Sequence, residues 1–216
     1  MDTPQTLPIL DAIELRVLGS LIEKSRATPD YYPMTVNAIT LACNQKTSRK
    51  PVVSYDDETV MEALNTLKRR GLVSTATGGS SRAIKYKHNL AIVYPLIPSE
   101  LAIMCLLMLR GPQTPGEINT NAGRLYEFES IEEVQEMLEK LAGGETPFVL
   151  QLPKRPGQKE ARYAHLLAGE PEISEEDEDD QSTGRSNSGL EARLAKVEQE
   201  LAELKEAFDK LMKELS

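Results

Sequence analysis

A chain of 216 residues, 40% hydrophobic and 27% charged, with a formal net charge of −9, has the balance of a soluble protein. At roughly 100–200 residues per domain it has room for two small domains and a tail. No stretch approaches the roughly 20 apolar residues of a bilayer span, and the opening MDTPQTLPIL lacks the basic and apolar regions of a secretory signal.

Cys43 and Cys105 lie among apolar neighbours, in TLACN and IMCLL, which predicts buried free thiols and a reducing, cytoplasmic setting. The charge is unevenly spread. Residues 1–95 hold 12 Lys and Arg against 9 Asp and Glu, a net of +3. Residues 96–169 hold 7 against 10, and residues 170–216 hold 6 against 15, nets of −3 and −9. The acidity belongs to the tail.

In chain order, the first predicted helix runs over about 11–24, with Ile13, Val17, Leu18, Leu21 and Ile22 at helical spacing. Thr28-Pro29 and Pro33 interrupt it. A second helix starts after Thr35 as N-cap, with Val36, Ile39, Thr40 and Cys43 on one face. A third runs from the cap Asp56 to Arg70 and stops at Gly71. LVSTAT and AIKYKHNL, joined across Gly-Gly-Ser-Ser, form a hairpin.

The same order then recurs. Helices are expected at 98–109, about 115–125 and 130–142, and strands near 148–152 and 161–166. The sequence itself is duplicated. At a separation of 86 residues Glu14 meets Glu100, Leu15 meets Leu101, Val17 meets Ile103 and Thr28-Pro29 meets Thr114-Pro115. At 74, Val60, Glu62, Leu64 and Leu67 meet Val134, Glu136, Leu138 and Leu141. At 77, KYKHNL meets RYAHLL. Three helices followed by a hairpin, twice, predicts a mainly α fold with small β-hairpins. It is built as two tandem winged helix-turn-helix domains, 1–95 and 96–169.

Beyond them, residues 170–189 carry six consecutive acidic residues followed by Ser, Gly and Asn, which predicts a flexible linker. In 190–216, Leu190, Leu194, Val197, Leu201, Leu204, Phe208, Leu211 and Leu215 follow alternating spacings of 4 and 3, the heptad pattern of a coiled coil. With Arg193 and Glu200 at g and Glu198 and Lys205 at e, a parallel homodimer brings opposite charges together; the mixed a and d residues also allow a trimer. Folding of the strip onto its own domains is the alternative.

Taken together, SLIEKSRATPDYYPMTVNAITLACNQKTSRKPV, LRGPQTPGEI, RLYEF, RYAHL and the terminal heptads resemble the YceH family of bacterial proteins along nearly the whole chain. The resemblance implies tandem winged helices and supplies no reaction. The family pattern has basic residues after TPGE, where this chain has Asn119 and Asn121, and Asn-Arg after NQKT, where Ser48 stands.

The basic residues of the first domain, with the lysine-rich turn and the wing expected side by side on a common exposed surface, suggest contact with duplex DNA. Lys46, Thr47, Arg49 and Lys50 lie in the turn between the second and third helices, Lys68, Arg69 and Arg70 end the third helix, and Arg82, Lys85 and Lys87 lie on the wing. Such residues neutralise phosphates without reading sequence. Lys68 to Arg70 equally suit the negative end of a helix dipole, and the other two groups suit a solvated loop and strand face. Asp56, Asp57, Glu58 and Glu62, in the half of the third helix that enters a major groove, oppose base reading. A protein-interaction scaffold with acidic surfaces is the alternative function. No catalytic motif, cofactor loop or metal-ligand spacing is present, and His88 and His165 occupy equivalent places in the repeat, as duplicated packing residues would.

Overall fold

The computed structural model describes residues 6–76, 83–154, 158 and 160–171. Arg82, the hairpin tip around it, the acidic linker beyond Pro171 and the heptad residues Leu190, Leu194, Val197, Leu201, Leu204, Phe208, Leu211 and Leu215 lie outside them.

The described chain is mainly helical with two small antiparallel sheets. Helices α1 (Ala12–Ala27), α2 (Val36–Cys43) and α3 (Asp57–Arg69) precede the strands β1 (Val73–Ala76) and β2 (Lys85–His88). A one-turn helix α4 (Leu90–Val93) leads to α5 (Pro98–Arg110), α6 (Pro115–Ala122) and α7 (Ile131–Ala142), then β3 (Val149–Gln151) and β4 (Tyr163–His165). Thr35 and Asp56 cap their helices as expected, and the structure adds Asp11, Thr114 and Ser130; each accepts a hydrogen bond from a backbone N–H in the first turn that follows. Gly71 closes α3 at φ 75°, a conformation that favours glycine.

The repeat is visible in the hydrogen bonds. Val73 pairs with His88 in the first hairpin, and Val149 with His165 in the second. Each hairpin gains a third, one-residue strand from the segment before the second helix of its half. Met34 pairs with Tyr86 and Gln113 with Tyr163, immediately before the caps Thr35 and Thr114. Glu14 and Glu100, 2% and 3% exposed, have matching roles. Each accepts from a backbone N–H three residues earlier, of Asp11 or Ile97, and pairs with a base at the end of the third helix. The partners are Arg70 at 3.6 Å and Lys140 at 2.6 Å.

The boundary expected near residue 95 is not a break in packing, because the chain up to Pro171 forms one compact unit with a continuous core. Its centre is the pair α1 and α5, buried from Glu14 to Ile22 and from Ser99 to Leu109. They meet at positions that the sequence repeat equates, 19 and 105, where the Cys105 thiol donates to the Gly19 carbonyl at 3.4 Å. The flanking contacts mirror each other: Leu109 packs on Gly19, and the Glu23 backbone lies beside Cys105, positions 23 and 109 being equivalent. Mirrored contacts of this kind mark a local two-fold relation. The ends also join, with the Leu10 N–H donating to the Leu167 carbonyl at 2.7 Å and Tyr94 edge-on to Phe148. Both cysteines are free and buried, and burial pushes both thiols up from the usual range.

Gly19 makes the close crossing possible, since a Cβ there would stand 2.9 Å from Leu109 Cδ2. Gly19→Val is expected to cost about 1–3 kcal/mol through overpacking, read as a lowered thermal midpoint; an unchanged midpoint would show that the helices have slack.

Candidate nucleic-acid interface and the cleft beside it

The basic turn 44–55 is a clamped structure. Asn44 ties its ends, donating to the Tyr55 carbonyl and accepting from the Tyr55 N–H, both at 2.8 Å. Arg16, 3% exposed, donates to the Cys43 carbonyl at 3.1 Å and the Pro51 carbonyl at 2.6 Å. The backbone N–H of Lys50 donates to the Leu109 carbonyl at 2.9 Å, and Arg110 donates to Ser48 Oγ at 2.8 Å. Ser48 sits at φ 61°, the one non-glycine residue with positive φ among the described residues. The turn is thus pinned to both halves.

Arg49 departs from the expectation of a phosphate-contacting cation. Its side chain is fully buried, and its guanidinium spans both Glu23 carboxylate oxygens at 3.0 and 2.7 Å. It also donates to the carbonyls of Ala42 and Ser48 and to Gln45. Its donors are engaged inside the protein. Burial raises the pKa of Glu23, but the hydrogen bonds and charge of Arg49 outweigh that and leave it below the usual range.

The other expected residues divide into two groups rather than sharing one face. Residues of α1 seven apart lie on one side of a helix, and residues two apart are about 200° apart around it. Glu23 and Arg16 hold the turn, whereas Ser25 Oγ meets His88 of β2 at 3.2 Å. Strand β2 and the turn therefore approach opposite sides of α1. Arg70 belongs to the β2 side, donating to the Ile9 carbonyl at 2.7 Å and pairing with Glu14. Lys68, Arg69 and Lys87 are exposed, and Lys85 is half-buried. On the turn side, Lys46, Thr47 and Lys50 are exposed.

Of the four acidic residues expected to oppose DNA, Asp56 caps α3 and Asp57 accepts from the Thr40 hydroxyl at 2.5 Å. Glu58 and Glu62 remain on the outer face of α3, as Glu132, Glu136 and Glu139 do on α7. His88 and His165 are each driven down to about 4, chiefly by burial, and each has a buried Nδ1 without a partner. They are neutral at neutral pH, in matching places.

Next to the turn, a cleft of about 680 Å3 opens between the two halves. Lys24 and Lys46 line it from the first half, and Arg110 and Arg124 from the second. Among its lining residues Glu23 is the single carboxylate, and Arg49 neutralises it. The sequence repeat equates Lys24 with Arg110, which is why the cations face each other across the local two-fold. Lys46 and Arg124 have no hydrogen-bond or ion-pair partner among the described residues. Sequence reading missed Lys24, Arg110 and Arg124, whose role depends on the two halves meeting.

Arg49→Gln would leave Glu23 half-buried with Lys24 alone, at 3.3 Å, and is expected to cost about 3 kcal/mol. Lys46→Gln is expected to change stability by less than about 0.5 kcal/mol. Because folding lowers the Glu23 pKa, the stability from this pair is present above the unfolded carboxylate pKa and lost as pH falls through the folded value. Denaturant titrations from pH 7 to pH 3 should show that acid-side loss diminished in the Arg49 variant; equal losses would contradict the assignment.

A family model described as a protein of unknown function, DUF480, matches residues 10–158. A UPF0502 protein of Solibacter usitatus is 46% identical over 200 residues, covering 93% of this chain and 95% of the relative. One from Shewanella halifaxensis is 44% identical, with 92% and 96% covered. One from Geobacter metallireducens is 48% identical, with 78% and 77% covered. With a family model spanning most of the folded unit and relatives at this identity over 77% to 96% of their length, the chain belongs to the YceH-like UPF0502 family.

Proposed function

We propose that each half is a winged helix and that the chain is a non-enzymatic, cytoplasmic nucleic-acid-binding protein that grips duplex backbone phosphate on the turn side of α1. The repeated order of three helices, one-residue bridge strand and hairpin supports the winged-helix reading. The observation that carries the function is the rigid turn. With Arg49 spent on anchoring it, Lys46, Thr47 and Lys50 stand outward, and Arg124 of the second half adds a cation nearby. Exposed Lys and Arg give affinity through counterion release. The exposed carboxylates on α3 and α7 oppose insertion of either helix into a major groove, so the contact is to backbone and independent of sequence. Those same acidic faces favour the second reading, an interaction scaffold for a basic protein partner.

Anisotropy of a random labelled duplex across a salt series tests this. Binding should weaken steeply with salt, and Lys46→Gln with Lys50→Gln should flatten the log–log slope by about 2. Absence of binding at low salt would refute the reading and leave the scaffold.

From the heptad pattern we also propose a parallel homodimer through residues 190–216, which would give two weak sites the benefit of avidity. Light scattering should show a dimer for the full chain and a monomer for a chain ending at Gly169. Equal states would refute it.

A further inference from the structure

We propose that the cleft between the halves is a binding site for a phosphate-rich anion of nucleotide size, a nucleoside di- or triphosphate, whose presence competes with duplex for Lys46. This goes beyond backbone contact on the outer surface, because a duplex cannot enter a cleft of about 680 Å3. That volume lies within the roughly 300–1,000 Å3 typical of small-ligand sites.

The charge balance favours an anion. Lys24, Lys46, Arg110 and Arg124 place four cations on the lining, and Glu23 is cancelled by Arg49. Four helices, α1, α2, α5 and α6, end around the cleft, and their C-terminal dipoles contribute about −0.5 each, about −2 in all. Part of the cationic charge offsets those dipoles, and a surplus of about two remains for a ligand. Arg110 is preset for this role, held by Ser48 Oγ at 2.8 Å and half-buried, where a charge is worth more than in open water. Arginine also meets phosphate in bidentate fashion.

The cations come as one pair from each half, so an anion with two or more phosphates can satisfy both sides at once. Thr47 offers a further hydroxyl at the rim, and Leu106 and Leu109 supply an apolar floor for a sugar or base. Bridging the halves, the ligand would raise the thermal midpoint of the folded unit.

The test uses the full chain and a fluorescent nucleoside triphosphate at low salt, with thermal shift in parallel. Saturable binding should weaken at least tenfold in Arg124→Gln and in Arg110→Gln and stay unchanged in Lys87→Gln, on the other side of α1. Arg124 is exposed, so its variant should keep the wild-type circular dichroism. Absence of saturable binding at millimolar nucleotide, or wild-type affinity in Arg124→Gln, would overturn the proposal. Inorganic triphosphate matching the nucleotide would overturn the nucleotide assignment, whereas oligothymidylate binding more tightly would support the site with a single strand as the phosphate source. Duplex anisotropy on the same samples separates the two readings: duplex binding can fail while nucleotide binding stands, and the reverse.

Discussion

The ion pair between Arg49 and Glu23 is the contact on which the rest of the seam depends. Taking a guanidinium and a carboxylate out of water costs several kcal/mol, recovered only when geometry and further hydrogen bonds are favourable. Here the pairing is two-pronged, and the carbonyls of Ala42 and Ser48 take up remaining donors. A turn that would otherwise be a mobile surface loop is thereby fixed at the end of α2 and against α1. Arg16 secures its second edge through Pro51, and Lys50 hooks its backbone onto Leu109. Lys46 and Thr47 face water because everything beneath them is committed.

Duplication explains where this wall stands. The crossing of α1 and α5 at Gly19 and Cys105 puts equivalent helix ends on the same side of the molecule. Helix C-termini attract basic side chains, so each copy carries one there, Lys24 in the first and Arg110 in the second. Brought together across a local two-fold, residues that in a lone domain would merely complement a dipole become opposing walls of a cationic cleft. Tandem packing thus yields a feature that neither half contains by itself. It also accounts for a basic seam in a folded unit that carries about as many acidic as basic residues: the carboxylates of Glu58 and Glu62, and of the α7 face, lie on outer surfaces instead.

Much of the fold was legible in the sequence. Thr35 and Asp56 announce helix starts by local chemistry, and the matched Glu14/Glu100 and His88/His165 reveal two copies. The bridge strands at Met34 and Gln113 were not legible, since a single paired residue has no periodicity. Burial of Arg49 was hidden for a related reason. Its neighbours in the chain are polar, and its partner Glu23 is 26 residues away. The expectation of one basic face failed because spacing along the chain says nothing of which side of α1 a segment approaches. The cleft required knowledge of how α1 and α5 cross, which depends on a glycine whose small size looks unremarkable in sequence.

The central claim is that anions land on the seam side of α1, between the turn and the second half. Backbone amide shifts of the isotope-labelled full chain, titrated with a nucleoside triphosphate, test it most directly. The account predicts shifts concentrated at Lys46 to Ser48, Arg110 and Asn121 to Arg124. Shifts centred instead on Lys85 to His88 and Lys68 to Arg70, or spread evenly over surface lysines, would contradict it.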